Sequence, residues 1–153
     1  MAQSKAPLRA SLLKQLILLE LAAEGPSHGY AIAKNLENMI RGWRPSLGTL
    51  YRMMDELERE GYIECRREEK TGRQRKLCTL TEKGAHHLLE KLTTHMNYIA
   101  CFMEVVAKAV NQLREYTSSR EEERMAEIAE RITMAAERII HLLKKPTPYQ
   151  ASP

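Results

Sequence analysis

The stretch Ser46-Leu47-Gly48-Thr49-Leu50-Tyr51-Arg52-Met53-Met54-Asp55-Glu56-Leu57-Glu58-Arg59-Glu60-Gly61-Tyr62-Ile63-Glu64-Cys65-Arg66-Arg67 decides the fold, because two chain periodicities meet in it at one glycine. Before Gly61 the apolar residues Leu50, Met53, Met54 and Leu57 recur at steps of three and four, the spacing of one helical face. Ser46 stands where an N-cap belongs and Gly61 where a helix stops in the left-handed conformation. After Gly61 the texture changes to that of a strand, Tyr62 to Arg67, answered by a second, Gln74 to Leu80. Thr71-Gly72 supplies the tight turn between them. A two-residue turn there sets Ile63 opposite Leu80 and Cys65 opposite Cys78, all on one face, expected to be the buried one. The outward tip then carries Arg66, Arg67, Lys70, Arg73, Arg75 and Lys76, with Glu68 and Glu69 as partial counterweights.

Upstream, Leu12, Leu13, Leu16, Ile17, Leu19 and Leu21 predict a first helix ending near Gly25-Pro26. Ser27 is the expected N-cap of a second helix with Tyr30, Ala33, Leu36 and Ile40 on one face. It fades at Arg41-Gly42, and Pro45 disfavours helical geometry at Arg44 in the short connection that follows. Three short helices joined by brief turns make a helix-turn-helix arrangement.

Downstream, Thr81 is the expected N-cap of a long helix that tolerates Gly84 in its first turn. Its apolar positions Ala85, Leu89, Leu92, Met96, Ile99, Met103, Val106, Val110 and Leu113 alternate steps of four and three, an a/d heptad seam. Thr117 to Ser119 interrupt it. Ser119 with Glu122 fits a capping box and starts another helix, patterned by Met125, Ile128, Ile132, Ala135, Ile139 and Leu142. The tail beyond Lys145, with Pro146, Pro148 and Pro153, is expected to be disordered. The two patterned helices either pack on each other within one chain or form a four-helix core between two copies. The second is favoured, because a lone helical hairpin leaves a wide apolar stripe exposed.

Composition bounds the rest. With 43% hydrophobic residues but one Phe and one Trp in 153, the core must be built from Leu, Ile, Met and Ala, which favours helices. No apolar run reaches the length of a membrane span. Leu12 to Leu21 is interrupted by Lys14 and Glu20 and lacks a cleavage pattern, so no membrane partner is expected and the location is expected to be cytoplasmic. Cys65, Cys78 and Cys101 are an odd number without C-x-x-C spacing, which argues against a zinc site or a secreted disulfide framework. His86 and His87 are adjacent and share no helix face. No zinc-protease, phosphate-loop, dinucleotide or nucleophile-elbow motif is present, so neither catalysis nor a cofactor or metal is expected. Residues 1–83 hold 15 Lys and Arg against 11 Asp and Glu, while residues 84–153 hold 9 against 9. The whole positive surplus of the chain lies in its first half.

These blocks resemble the PadR family of transcriptional regulators. Pro26-Ser27-His28-Gly29-Tyr30 is similar to the family's start of the second helix, and Ser46-Leu47-Gly48-Thr49-Leu50-Tyr51 to its recognition helix. Leu57-Glu58-Arg59-Glu60-Gly61-Tyr62-Ile63 resembles the exit into the wing. Gly72-Arg73-Gln74-Arg75-Lys76 and Thr79-Leu80-Thr81-Glu82-Lys83-Gly84 resemble the second wing strand and the start of the long helix. The likeness spans roughly residues 8–95 in the same order. One departure is Cys78, where the family usually carries an aromatic residue.

The expected fold is therefore mainly α: a winged helix-turn-helix with a small two-stranded β wing, plus a C-terminal helical dimerisation region. Residues 8–83 form the DNA-binding domain, 84–145 the dimerisation region and 146–153 a tail. The resemblance implies a regulator that binds double-stranded DNA, expected to be a repressor, and the heptad seam adds a homodimer on a pseudo-palindromic operator. A recognition helix enters the major groove by its N-terminal end, which assigns Ser46, Gly48, Thr49, Tyr51 and Arg52 to DNA. Arg52 is the candidate base reader, since a guanidinium bonds both acceptors of guanine. Gly48 removes bulk where the backbone meets a phosphate, and Tyr51 offers its hydroxyl to another. Arg66, Arg67, Lys70, Arg73, Arg75 and Lys76 on the wing would hold backbone or minor groove. Leu89, Leu92, Met96, Ile99, Met103, Val106, Val110 and Leu113 are the dimerisation seam.

The resemblance also implies release from DNA by small aromatic or drug-like effectors bound between subunits. Met96, Tyr98, Phe102 and Met103 are the candidates for that pocket, although a methionine stripe at helical spacing more often simply packs. Cys65 and Cys78 stand close enough for a disulfide, and the plainer reading is two small buried hydrophobes. The rival to the DNA reading is a winged module that binds protein instead.

Overall fold

The computed structural model describes residues 5–40, 43, 45–70 and 72–145, with the backbone alone at 5–9, 70, 73 and 74. The tail expected at 146–153 lies outside the described residues. The elements run α1 (Lys5–Glu24), β1 (Ser27–His28), α2 (Gly29–Met39), α3 (Leu47–Arg59), β2 (Ile63–Lys70), β3 (Arg73–Leu80), α4 (Glu82–Leu113), a short 3-10 turn (Arg114–Tyr116) and α5 (Ser119–Leu143). The chain divides into two units, Met1–Ile99 and Ala100–Pro153.

The first unit holds the core. Leu13, Ile17, Leu18 and Leu21 of α1 meet Ile32, Ala33 and Leu36 of α2, and Leu50, Met53, Met54 and Leu57 of α3. Ile63 of β2, Cys78 of β3 and Leu88 of α4 close it from the wing side. The apolar face of α3 is the one its spacing predicts. That of α2 is not, because Tyr30 is 58% exposed and Gly29 takes a buried place instead. The cause lies just upstream. Ser27 and His28 are drawn into a short strand, pairing with Cys78 and Leu77 of β3. The Ser27 hydroxyl donates to the Gly25 carbonyl rather than capping the helix. His28 becomes the N-cap residue, with no side-chain cap bond. The wing hairpin thereby gains a third strand, in the order β1-β3-β2.

Strands β2 and β3 pair in the expected register, from Ile63 opposite Leu80 to Lys70 opposite Arg73. They extend further toward the tip than the sequence pattern suggests. Ile63 and Cys78 are buried, and Cys65 and Leu80 are half-buried against the core. Cys65 and Cys78 are joined by a disulfide, which replaces the plain reading of two separate hydrophobes.

The exit from α3 is built from a few close contacts. Gly61 has φ 79°, and its N–H donates to the Glu58 carbonyl while that of Tyr62 donates to Leu57. This is the paired bonding of a Schellman stop, which uses the last free carbonyls of the helix. The Thr81 hydroxyl donates to the Gly61 carbonyl (2.7 Å) and accepts from the Gly84 N–H (3.0 Å), so Thr81 caps α4 and ties it to the end of α3. Its own N–H donates to the Tyr62 carbonyl. Gly84 is pressed so close that a Cβ would lie 2.0 Å from that same oxygen. Glycine at 84 is required, not merely tolerated. The Tyr62 ring stacks on His87 with centroids 4.2 Å apart.

The second unit contains the last turns of α4, the 3-10 turn and α5. The capping box sits one residue earlier than the pattern suggests. Ser118 accepts from the Glu121 N–H, and the Glu121 carboxylate accepts from the Ser118 N–H and hydroxyl. Those bonds, the backbone one foremost, hold the Glu121 carboxyl below its ordinary range. Among the described residues from 100 onward none is buried, and Met125, Ile128, Ile132, Ile139 and Leu142 of α5 are all exposed.

Replacing Gly84 by Ala is expected to destabilise the chain by about 2 kcal/mol or more, since the clash is with backbone and cannot be relieved by a rotamer. Urea unfolding measures it, and an unchanged midpoint contradicts the contact.

Candidate nucleic-acid interface

The start of α3 is open. Ser46 accepts from the Thr49 N–H (3.2 Å) and donates to the Thr49 hydroxyl oxygen (2.8 Å). The Thr49 proton is left to point elsewhere. A Cβ built on Gly48 meets nothing within 4 Å, so no internal packing calls for glycine there. By helix geometry the N–H groups of Leu47 and Gly48 have no partner inside the helix and face outward, a ready anion site.

Tyr51 lies across Gly29. A Cβ at 29 would stand 2.6 Å from its ring, so the absent side chain is what seats the tyrosine against the start of α2. Arg52 is exposed and makes no hydrogen bond or ion pair among the described residues.

Farther along, α3 carries Asp55, Glu56 and Glu58, with Glu60 at its C-cap, and these would repel a phosphate backbone. Two lysines from other elements counter them. Lys76 of β3 bonds Asp55 and Glu58, while Lys14 of α1 pairs with Glu56 (3.0 Å) and Glu60 (2.9 Å). The Glu58 bond, foremost, raises the Lys76 ammonium above its ordinary value. Burial pulls Lys14 down, but its two carboxylates outweigh that and raise it. The Lys14 bond in turn holds Glu56 low. Lys76 thus stands apart from the free wing cations.

On the wing, Arg66, Arg67 and Arg75 are exposed and unpaired among the described residues. The side chains of Lys70 and Arg73 lie outside the described residues; their backbones flank the turn. His28 is 3.7 Å from Glu68, and its Nδ1 is 3.2 Å from the Lys76 carbonyl oxygen. Sequence reasoning missed Gly29, Lys14 and the inward role of Lys76. Their partners lie 18 to 46 residues away for the two lysines, beyond any local pattern.

The seam residues divide between the units. In the first, Leu92 packs on the core, and Leu89, Met96 and Ile99 are exposed. In the second, Met103 and Val106 are half-buried while Val110 and Leu113 are exposed. There an apolar cleft of about 760 Å³ runs between α4 and α5, lined by Phe102, Met103, Val106, Val110, Met125 and Ile132, with Arg114 and Glu122 also on its wall. Met96 and Tyr98 belong to the first unit and are exposed. Among the described residues no group of three metal-binding side chains exists, and no helix is long and apolar enough to cross a membrane.

Residues 18–90, from the core of α1 through the wing to the first turns of α4, match the transcriptional regulator PadR-like family. The chain belongs to the PadR-like family of transcriptional regulators. The match takes in every part of α3 and the wing described above. The chain is 36% identical over 77 residues to transcriptional regulator YqjI of Escherichia coli, covering 50% of this chain and 36% of that protein. It thus spans about a third of the length of that curated relative. A structure of smu.1704 from Streptococcus mutans superposes with TM-score 0.55 at 30% identity, covering 64% of this chain and 89% of the other. A PadR-like transcription factor from Bacteroides fragilis does so with TM-score 0.59 at 25% identity, covering 66% and 96%. The family is one of regulators, not enzymes.

Two substitutions separate binding from folding. Gly48→Ala fills open space in a helix, so its unfolding midpoint should hold or rise while duplex affinity falls about tenfold as the added methyl keeps a phosphate away. Arg52→Ala should cost about 1–3 kcal/mol of discrimination between bases. Fluorescence anisotropy and thermal melts measure both, and full affinity in Gly48→Ala removes the close approach at that position.

Proposed function

We propose that this PadR-like chain binds double-stranded DNA sequence-specifically as a homodimer and acts as a repressor. The observation that carries the reading is the open start of α3, where Gly48 faces free space and Arg52 is unpaired, together with a wing whose Arg66, Arg67 and Arg75 are equally unengaged. Lys14 and Lys76, by contrast, are engaged with carboxylates at α3. In this reading Arg52 reads bases, the start of α3 holds phosphate, and the wing holds backbone or minor groove. Residues 8–83 do the binding and residues 84–145 the pairing.

The homodimer is supported by the second unit's own burial. From residue 100 onward no described residue of α4 or α5 is buried, so their contact leaves most of both apolar faces open, whereas helices in water are stabilised by a covered apolar face. A second copy laying its stripe on Val106, Val110, Met125, Ile128 and Ile132 supplies that cover. Twofold symmetry would then set two α3 helices roughly 34 Å apart, one turn of DNA, on a pseudo-palindromic operator. Relief by a small aromatic or drug-like effector beside Phe102 and Met103 belongs to the same reading, in the apolar cleft those residues line.

Anisotropy of the full chain on duplex DNA across a salt series tests it. A dimer offering Arg52, Arg66, Arg67 and Arg75 twice should lose roughly 10³–10⁵ in affinity between 50 and 200 mM salt. Binding that changes less than about tenfold over that range, or no duplex binding, favours a winged module that recognises protein.

A further inference from the structure

We infer that Cys65 and Cys78 form a redox site in the wing, at which an organic or inorganic hydroperoxide closes a cross-strand disulfide that strengthens the hold on DNA. The inference rests on the DNA reading above. It is carried by where the pair sits. The two residues are direct partners in the β2–β3 register, with Cα atoms 4.1 Å apart, the close non-hydrogen-bonded kind of cross-strand position where side chains meet. Cys78 also occupies the middle strand, between Ser27 of β1 and Cys65 of β2. Beyond that point toward the tip, β1 reaches only as far as His28 opposite Leu77. The rest of the wing is two-stranded, tied back by Lys76 to α3 and by His28 beside Glu68, and two-stranded ribbons are marginal in water. Arg66, Arg67 and Arg75 all lie between the two cysteines in sequence, inside the loop the disulfide closes. One covalent link at the root therefore adds to the order of every described free arginine on the wing.

The two thiols differ in access as the chemistry requires. Cys65 is half-buried and Cys78 has no exposed surface. The Cys65 thiolate attacks the peroxide O–O bond, takes one oxygen as a sulfenic acid and releases an alcohol or water. The Cys78 thiolate then attacks that sulfur and expels water. In sum, two thiols and one hydroperoxide give one disulfide, one alcohol (or water) and one water; the sulfurs lose two electrons and the peroxide gains them. Cys101 is a free, exposed cysteine and is removed in the test below.

Ordering the ribbon before contact removes an entropy cost otherwise met on binding, so the oxidised wing should hold DNA about fivefold to tenfold more tightly than the reduced one. The test uses the full chain carrying Cys101→Ser, to prevent links between copies, with hydrogen peroxide as oxidant and dithiothreitol as reductant. Titratable thiols should fall from two to none, and amide exchange across residues 66–77 should slow. Duplex affinity should rise by the stated factor, and reduction should reverse all three. In a second variant adding Cys65→Ser, affinity should stay at the reduced level under both conditions. Two thiols still titratable after peroxide overturn the inference. So does a disulfide that forms with affinities equal within twofold, or a peroxide response that survives Cys65→Ser. Equal, salt-sensitive binding in both states defeats this inference alone, whereas absence of duplex binding in both states defeats the DNA reading and this inference with it.

Discussion

The close approach of Gly84 to the Tyr62 carbonyl is the contact on which the rest of the first unit depends. At that point the end of α3, the first residue of the wing and the first turn of α4 share a single small volume. Thr81 bonds both sides of it, and the Tyr62 ring is held from outside by His87. With these three elements locked, the wing leaves α3 at a fixed angle. The arginines of the hairpin and the start of the recognition helix are then presented as one surface. A side chain at 84 would push α4 away and loosen the geometry that a groove of fixed width has to meet.

Charge is distributed with the same economy. The surplus of positive residues in the first half of the chain is modest, and a protein that used all of it for internal pairing would have none left to meet a polyanion. Lys14 is set between Glu56 and the C-cap Glu60, and Lys76 between Asp55 and Glu58, so lysines carry most of the neutralisation along the acidic flank of α3. Exposed ion pairs of this kind contribute little stability. Their effect here is on the field that an approaching phosphate meets. Among the described residues of the second unit the imbalance is different, an apolar surface left exposed. The proposed second copy would resolve both problems, burying the stripes and doubling the number of arginines offered to one duplex.

Much of this was legible in the sequence, for local reasons. The Ser46 cap, the Gly61 stop and the face of α3 each depend on residues within a turn or two, and the register of the wing follows from the length of its turn. What the sequence hid was non-local. Ser27 looks like a helix cap because its neighbours suit one, but β3 offers a free edge that recruits it as a strand. That recruitment turns Tyr30 outward and brings Gly29 beneath Tyr51. Lys76 reads as one more wing cation until α3 is placed beside it. Gly84 looks optional until the carbonyl of a residue 22 positions earlier is found against it. The capping box of α5 was displaced by one residue because Ser118 and Ser119 are chemically alike, and only the backbone distinguishes them.

In the proposed dimer, two copies present two α3 helices and two wings to one stretch of DNA. Selection of the full chain's preferred duplexes from a random-sequence library tests this most directly. Such a dimer should enrich a pseudo-palindrome whose half-sites are centred about one helical turn apart, roughly 10–10.5 base pairs. Enrichment of a single asymmetric half-site, or of no sequence at all, would contradict it.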